Sequence, residues 1–451
     1  MPSNSIANRP ASIAFITMGC AKNEVDTANM IEKLVNAGFA IQDDPESADV
    51  VVVNTCSFIQ AATEESIDAV LEVAGYDSIS AGTSKLIVSG CMPARYGEEL
   101  KAELPEASSF VPCSKEDDIV EVVSNIIDAS LLPLKTEIRC DSAHNFASLE
   151  SPHVFGASSY VKISDGCDRF CSYCAIPYIR GRYHSFEYDQ IRNDVANRIN
   201  AGAREIILIA QDTGRWGDDF VEKKTLAWLM GQLAEEFAQA WFRVMYIQPE
   251  GVTDELINVV AQHENICSYF DIPFQHANAE LLRLMNRTGS AEEHIALIKK
   301  IRTSIPAATI RTTLIAGFPG ETEDQFQELL DFVADSDLDY IGSFAYSREE
   351  GTRAYSLPNQ IDEDEKADRA QQLRDLCDNV CIPRVANRVG QNAEVLICGY
   401  EEDGQLFGRT RSQAPEVDGV TYLPEGAGNI GDVVEVVIDD TLLYEMEGSL
   451  V

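Results

Sequence analysis

The sequence has no long hydrophobic run, few basic residues, and neither an internal repeat nor a low-complexity tract. A membrane-spanning helix needs roughly 18–20 consecutive apolar residues, so we expect no membrane span. The chain has 35 lysine and arginine residues but 74 aspartate and glutamate residues. The resulting net charge of −39 would repel nucleic-acid phosphates. The short apolar segment 13–20 fits a strand better than a signal peptide, and we expect a cytoplasmic protein.

What is present is the composition of a folded protein, with 45% hydrophobic and 24% charged residues. A chain of 451 residues is long enough for about three domains. Apolar segments at 12–17, 49–53 and 85–88 alternate with helical segments, which predicts a parallel-sheet α/β domain over 11–127. The first helix is expected to start with Asn23 as its N-cap and to stop at Gly38. An irregular linker is predicted at 128–152.

The rest of the chain predicts two further domains, so the fold class is α/β with three parts. Residues 153–383 alternate strands and helices and predict an open, partial (β/α)6 barrel followed by a charged helix at 363–379. Short strands broken by glycines at 384–451 predict a small β-barrel. The six strands of the central barrel are predicted at 160–164, 205–210, 242–247, 269–272, 310–316 and 340–346.

Three of the twelve cysteines stand in a CxxxCxxC pattern directly after the first barrel strand: Cys167, Cys171 and Cys174. Three thiolates in one loop can hold an iron–sulfur cluster and leave one iron open, whereas structural zinc or a fully ligated cluster wants four ligands. Cys20, Cys56 and Cys91 each follow one strand of the N-terminal sheet. Because the carboxyl ends of parallel strands meet at one edge, we expect these three to converge as a second cluster site.

Polar residues and glycines at the ends of other barrel strands are expected to line the same active-site rim. Gln211 and Asp212 end the second strand, and Gln275 and His276 follow the fourth. Gly317, Gly320 and Glu321 in a GFPGE stretch end the fifth strand, where a tight strand-to-helix turn is an equal alternative. The remaining cysteines show no such placement and are interpreted as buried or incidental thiols, namely Cys113, Cys140, Cys267, Cys377, Cys381 and Cys398.

The CxxxCxxC loop on a partial barrel resembles that of the radical S-adenosylmethionine superfamily. The terminal β-barrel resembles a TRAM domain. Together with the upstream cysteine triad, these parts resemble the layout of the methylthiotransferases of that superfamily. The stretches GCAKNEVDT (19–27), LIAQDTGRWG (208–217), DIPFQHAN (271–278), IRTTLIAGFPGET (310–322) and APEVDG (414–419) resemble the branch that modifies an aspartate of ribosomal protein S12. The segment Gly214–Arg215–Trp216 departs from that branch, in which Ser/Thr, a variable residue and Tyr are commoner.

This resemblance implies two [4Fe-4S] clusters and two molecules of S-adenosylmethionine per turnover. A 5′-deoxyadenosyl radical would take hydrogen from the aspartate β-carbon, and the upstream cluster would deliver a methylated sulfur. The cofactor would contact Tyr173 and the rim residues above, and no catalytic residue is assigned beyond the clusters. An electron donor, a sulfur donor and S12, either free or on the small ribosomal subunit, are the implied partners.

Two alternatives remain at this point. A tRNA methylthiotransferase, acting on isopentenyladenosine or threonylcarbamoyladenosine, would share all the cysteines of the two triads. However, residues 384–451 contain 13 acidic and four basic residues, and this negative charge is unfavourable for binding tRNA. A two-cluster electron-transfer protein would need four ligands for each cluster. We expect S12 to dock on exposed acidic residues of the terminal barrel, namely Glu401, Glu402, Asp403, Glu416 and Asp418.

Overall fold

The structure is a computed structural model that describes residues 9–133 and 153–451. The chain divides into two compact units: the described residues of Met1–His153 with Ala175–Gly181, and Val154–Cys174 with Arg182–Val451. The boundaries at residues 127, 152 and 383 stay predictions. Cys140 and residues 134–152 of the expected linker lie outside the described residues. Within the described ranges, every helix is too short or too polar to span a bilayer.

The first unit contains a five-stranded parallel sheet of order β2-β1-β3-β4-β5. Its strands are β1 (Ser12–Thr17), β2 (Ala40–Ile41), β3 (Val50–Thr55), β4 (Lys85–Gly90) and β5 (Ser109–Pro112). The three central strands, β1, β3 and β4, were predicted from the sequence, whereas the short edge strands β2 and β5 were not. All six residues of β3 are buried because helices cover both faces of the sheet. The helices of this unit are α1 (Ala21–Asn36), α2 (Gln60–Ala74), α3 (Asp77–Ser80), α4 (Cys91–Tyr96), α5 (Glu98–Glu103), α6 (Ile119–Ile126) and α7 (Ile176–Ile179).

The prediction that Asn23 caps the first helix is wrong. Helix α1 begins at Ala21, Cys20 occupies the N-cap position, and Asn23 lies fully buried in the first turn. The Asn23 side chain bonds to other loops instead, so a tertiary contact replaces the local cap that its residue type favours. At the start of the expected linker, the Leu131 carbonyl accepts a hydrogen bond of 2.9 Å from Ala11, which ties this part to the sheet.

The second unit is built on six parallel strands, as predicted. They form two three-stranded sheets, β6-β9-β10 and β11-β12-β13, linked by the hydrogen bond from Ile247 N to Asp271 O of 2.9 Å. The strands are β6 (Ser158–Lys162), β7 (Ser164–Asp165), β8 (His184–Ser185), β9 (Glu205–Ile209), β10 (Trp241–Val244), β11 (Tyr269–Asp271), β12 (Thr309–Ala316) and β13 (Tyr340–Ala345), with β7 and β8 forming a separate antiparallel pair.

Helices follow the strands of this partial barrel and bury one large apolar core against them. They are α8 (Tyr188–Asn200), α9 (Leu226–Glu236), α10 (Asp254–Gln262), α11 (Ala279–Leu284), α12 (Ala291–Ser304), α13 (Glu323–Asp335) and α14 (Glu363–Ala386). Helix α14 is longer than the predicted 363–379 and continues through Pro383. Its extension is held by packing, because Cys381 and Val385 are fully buried.

The C-terminal segment forms a closed five-stranded barrel of order β14-β15-β16-β18-β17, as predicted. Its strands are β14 (Asn392–Tyr400), β15 (Leu406–Thr410), β16 (Thr421–Tyr422), β17 (Val433–Leu442) and β18 (Glu445–Leu450). Strand β16, which has only two residues, and strand β18 were not predicted from the sequence. The barrel interior holds Val395, Ile397, Val436, Ile438 and Met446.

Buried ion pairs fix this small barrel to the strands of the central one. Glu205 of β9 pairs with Arg243 of β10 at 2.8 Å and with Arg409 of β15 at 2.6 Å. Asp418 accepts a hydrogen bond of 2.5 Å from the Tyr269 hydroxyl and lies 3.5 Å from Arg311. Because Asp418 is fully buried, the prediction that it lies on the acidic docking surface is wrong.

Candidate functional site

The CxxxCxxC loop begins five residues after β6, at the carboxyl ends of the barrel strands. Cys167, Cys171 and Cys174 are partly buried. Burial raises the pKa of Cys167, and the neighbouring Cys171 acts in the same direction. Ser172 fixes the loop from both sides, since its N–H donates to Met285 O at 2.9 Å and its carbonyl accepts from Ala354 N at 2.6 Å.

Two arginines that the sequence analysis did not single out contact this loop. Arg287 places Nη1 3.9 Å from Cys171 Sγ and donates through Nη2 to Pro273 O at 2.7 Å. Arg169 donates from Nε to Asp212 Oδ2 at 2.5 Å. Arg169 could have been noticed because it lies between two of the cysteines, whereas no local pattern marks Arg287. Both guanidiniums place positive charge beside the cysteine loop.

Several buried polar atoms at this rim have no hydrogen-bond partner within the described residues. They belong to side chains that follow different strands or lie in the cysteine loop: Gln211 Oε1, Asp212 Oδ1, Gln248 Oε1 and Ser172 Oγ. Leaving such groups unpaired is costly, so their concentration at one rim indicates a polar ligand. Burial raises the pKa of Asp212 despite the opposing charge of Arg169. Gln248 was not predicted.

The backbone at the same rim holds non-glycine residues in the left-handed region. Phe170 lies in the cysteine loop with φ of 48°, Tyr246 follows β10 with φ of 62°, and Gln275 follows β11 with φ of 73°. Asn286, with φ of 60°, donates from its side chain to the carbonyls of Arg169 and Phe170. Strained residues of this kind persist where the surroundings fix them, and they concentrate at ligand sites.

The GFPGE stretch forms a buried turn stabilised by its own glutamate. Glu321 accepts from Gly317 N at 3.0 Å and from Arg369 Nη1 at 2.8 Å, and it lies 3.4 Å from His276 Nε2. Burial alone would raise the pKa of Glu321, but these partners lower it. The carboxylate therefore shapes the turn, while Gly317 and Gly320 keep the positive φ angles of 77° and 85° that it requires.

The second cysteine triad lies at the carboxyl edge of the N-terminal sheet. Cys56 and Cys91 directly follow the adjacent strands β3 and β4, and Cys20 follows β1, the neighbour of β3 on its other side. Burial raises the pKa of Cys56 to about 11, and the nearby thiols of Cys91 and Cys20 add to this shift. A Cβ atom at Gly19, whose φ is 95°, would meet Cys56 Cβ at 2.5 Å, so only glycine allows this approach.

A fourth thiol, Cys113, lies beside this triad, although the sequence analysis set it aside. It directly follows β5, and its Sγ lies 3.4 Å from Ile179 O. A hydrogen bond from Cys113 lowers the pKa of Cys91 against the effect of burial, and the charge of Arg180 contributes in the same direction. The missed strand β5 is the reason that Cys113 was overlooked. Cys267, Cys377, Cys381 and Cys398 are buried, as expected.

Both triads offer the donor type that iron–sulfur clusters take. Within 9–133 and 153–451, no three side chains of the ligand types converge closely enough for one ion. Each thiolate of a four-iron cluster binds a different iron, so its ligands stand farther apart than those of one ion. Three thiols on each edge, with orphaned polar atoms beside the barrel triad, fit a cluster that leaves one iron open for a polar cofactor.

Comparison with protein families defines the class. The uncharacterized protein family UPF0004 matches residues 12–112, the radical SAM superfamily matches 161–333, and the TRAM domain matches 389–451. The partial barrel with its CxxxCxxC loop is therefore that of a radical SAM enzyme. This class implies S-adenosylmethionine and a [4Fe-4S] cluster as cofactors.

Relatives across the whole chain define the family. The ribosomal protein uS12 methylthiotransferase RimO of Natranaerobius thermophilus is 39% identical over 440 residues, covering 97% of this chain and 98% of the relative. That of Clostridioides difficile is 39% identical, with 97% and 98% covered. The chain belongs to the ribosomal protein uS12 methylthiotransferase (RimO) family of radical SAM methylthiotransferases.

Solved structures agree on the fold. The radical S-adenosylmethionine methyltransferase TsrM from Kitasatospora setae superposes with a TM-score of 0.55 at 14% identity, covering 76% of this chain and 74% of that one. The cobalamin-dependent S-adenosylmethionine radical enzyme OxsB gives a TM-score of 0.50 at 12% identity, with 82% and 57% covered. At these identities the likeness shows the fold alone.

Proposed function

We propose that this protein transfers a methylthio group to the β-carbon of an aspartate of ribosomal protein S12. The observation that carries the proposal is the near-complete similarity to relatives named as uS12 methylthiotransferases. The negative charge of the chain supports the same choice, because a net charge of −39 disfavours a tRNA substrate.

The first part of the proposal concerns the radical site. Cys167, Cys171 and Cys174 would hold a [4Fe-4S] cluster, and S-adenosylmethionine would bind at its open iron. When bound, these two groups supply the radical chemistry that removes a hydrogen atom from the substrate. We propose that the cofactor contacts Tyr173 and the rim residues Gln211, Asp212, Gln275, His276, Gly317, Gly320 and Glu321.

Arg287 and Arg169 place positive charge at this site. Arg287 lies 3.9 Å from Cys171 Sγ and would compensate thiolate charge there. Burial lowers the pKa of Arg287, but the charges of Tyr173 and Cys171 outweigh that effect and the net pKa is raised, so the side chain stays cationic. Arg169 holds one oxygen of Asp212 and leaves the other for a ligand. A cofactor amino group is a partner of suitable charge for that free oxygen.

The second part concerns the sulfur site. Cys20, Cys56 and Cys91 would hold a second [4Fe-4S] cluster, which would supply the sulfur-transfer chemistry. A second S-adenosylmethionine would supply the methyl group, so two molecules are consumed in each turnover. A reductant and a sulfur donor complete the reaction. The support for this site is three thiols at the ends of three adjacent parallel strands.

The third part concerns substrate docking on the C-terminal barrel. A cavity of 430 Å³ lies between its strands, and four carboxylates line it together with Tyr422: Glu401, Asp403, Asp439 and Glu447. Burial raises the pKa of Tyr422, and Glu401, Glu445 and Asp403 add to the shift, which reflects a negative potential here. Such a surface attracts a lysine- and arginine-rich protein. Of the residues predicted from sequence, Glu401, Glu402, Asp403 and Glu416 are exposed.

Mass spectrometry of S12 from cells that carry or lack the gene tests this function. We expect the aspartate peptide to gain one methylthio group in place of one hydrogen only when the intact gene is present. A Cys174→Ala gene, expressed at the same level, should fail to restore the modification. Unmodified S12 with methylthiolated adenosine in tRNA would contradict the proposal.

A further inference from the structure

The buried amide of Asn23 touches the ends of the three strands that carry Cys20, Cys56 and Cys91. Its Nδ2 donates to Met18 O at 2.9 Å, two residues before Cys20, and to Thr55 O at 3.0 Å, one residue before Cys56. Its Oδ1 accepts from the Cys91 thiol at 3.7 Å. One side chain thus ties together the backbone or sulfur at all three positions.

The backbone of the same residue adds two further ties. Asn23 N donates to Cys20 O at 2.8 Å, and Asn23 O accepts from Asn54 Nδ2 at 3.0 Å. Asn23 is fully buried, so none of these bonds competes with bulk water. The cost of leaving any of them unmade is correspondingly high.

A buried arginine completes this arrangement. Arg180 directly follows helix α7, in the segment Ala175–Gly181 that belongs to the first unit. Its Nη2 donates to Asn23 Oδ1 at 2.8 Å and lies 3.7 Å from Cys91 Sγ, while Nη1 pairs with Asp26 at 2.9 Å. The side chains of Arg180 and Asp26 are 3% and 4% exposed. The guanidinium therefore acts on the sulfur with little screening by solvent.

We infer that Asn23 and Arg180 are the positioning residues of the second cluster site. Asn23 ties together the strand ends before Cys20 and Cys56 and holds the Arg180 guanidinium, and Arg180 stabilises negative charge on Cys91. This inference rests on the proposed function, because it assumes a cluster on Cys20, Cys56 and Cys91. Removing a positive charge beside a cluster ligand makes reduction harder, so Arg180 also raises the reduction potential of that cluster.

The test uses the full chain with Cys167, Cys171 and Cys174 changed to Ala, so that only the second cluster can form. Reconstituted background protein should hold about four irons. Asn23→Ala should lose most of this iron. Arg180→Met should keep a cluster whose midpoint potential, measured by EPR-monitored titration, is lower than in the background, whereas Arg180→Lys should stay near the background value.

Controls separate positioning from folding. Arg180→Met leaves Asp26 buried without its cation, so the double variant Asp26→Asn/Arg180→Met removes both charges and should keep a lowered potential. Arg192→Met removes an exposed arginine that pairs with Glu236 in the other unit and should change neither iron content nor potential.

Three outcomes would overturn the inference. Full iron in Asn23→Ala would refute the role of Asn23. An unchanged potential in both Arg180→Met and the double variant would refute that of Arg180. Iron-free background protein would refute the second cluster itself, and that result differs from a failure confined to the Asn23 and Arg180 variants.

Discussion

Replacing Glu205 by Gln should strongly destabilise the second unit, because the Glu205 carboxylate pairs with two buried guanidiniums, those of Arg243 and Arg409. The side chains of Glu205 and Arg243 are fully buried and that of Arg409 is 5% exposed. Ser158 Oγ also donates to Glu205, at 2.8 Å. Removing one partner from a buried ionic network costs roughly 3–5 kcal/mol, since the charges left behind cannot regain water.

The acid–base behaviour of Glu205 gives a similar magnitude. Burial alone would raise its pKa above the ordinary value of 4.5, but Arg409 and Arg243 lower it to about 2. This difference corresponds to about 3 kcal/mol. Because the folded-state pKa is depressed, the stabilisation is complete above about pH 4.5 and is lost as the pH falls toward 2.

Urea unfolding followed by tryptophan fluorescence measures this effect, because Trp216, Trp228 and Trp241 all lie in the second unit. With a slope of about 3 kcal/mol per molar urea, Glu205→Gln should lower the midpoint by roughly 1 M. Glu394→Gln is the matched control. It breaks a pair with Arg411 in which the side chains are 48% and 29% exposed, and it should cost less than about 1 kcal/mol. Equal shifts for the two variants would refute the reasoning.

Three further predictions address the site. Reconstituted protein should bind about eight irons, and changing Cys167, Cys171 and Cys174 to Ala should remove about half. Changing Cys20, Cys56 and Cys91 to Ala should preserve release of 5′-deoxyadenosine from S-adenosylmethionine but abolish sulfur insertion. Changing all four cavity carboxylates, Glu401, Asp403, Asp439 and Glu447, to Lys should lower the rate of association with S12. The measured rate should also depend less on ionic strength.

Each of these has an outcome that contradicts it. If the variant without Cys167, Cys171 and Cys174 retained all of its iron, the assignment of the radical cluster to these cysteines would be refuted. Loss of 5′-deoxyadenosine release in a folded N-terminal triad variant with about four irons would contradict the division of labour between the clusters. For docking, the matched control reverses four exposed acids on α2, namely Glu64, Glu65, Asp68 and Glu72. If the control slowed association with S12 equally, the effect would come from the overall charge of the protein and the proposed docking surface would be refuted.

The sequence was sufficient for the architecture because strand and helix periodicities are local signals. Parallel strands end at one edge, so the position of Cys56 and Cys91 at neighbouring strand ends followed from the pattern. The residues that were missed or misread depend on contacts distant in sequence. Arg287 reaches Cys171 across 116 positions, and Arg180 reaches Cys91 across 89.

Burial was the other quantity that the sequence did not contain. Asp418 counts as one more acid in a net charge, yet it is fully buried against Tyr269 and Arg311. Asn23 has the residue type of a helix cap, but its amide is used by three loops. Charge counting and capping rules treat each residue by its neighbours in sequence, and both fail where tertiary packing supplies the partner.

The most direct test of the substrate assignment offers both candidates to one enzyme. Anaerobically reconstituted protein is given S-adenosylmethionine, a reductant and a sulfide source, together with equal concentrations of S12 and bulk tRNA. Mass spectrometry of the peptides and nucleosides should find one methylthio group on an S12 aspartate and none on adenosine. Methylthioadenosine nucleosides with unmodified S12 would contradict the account.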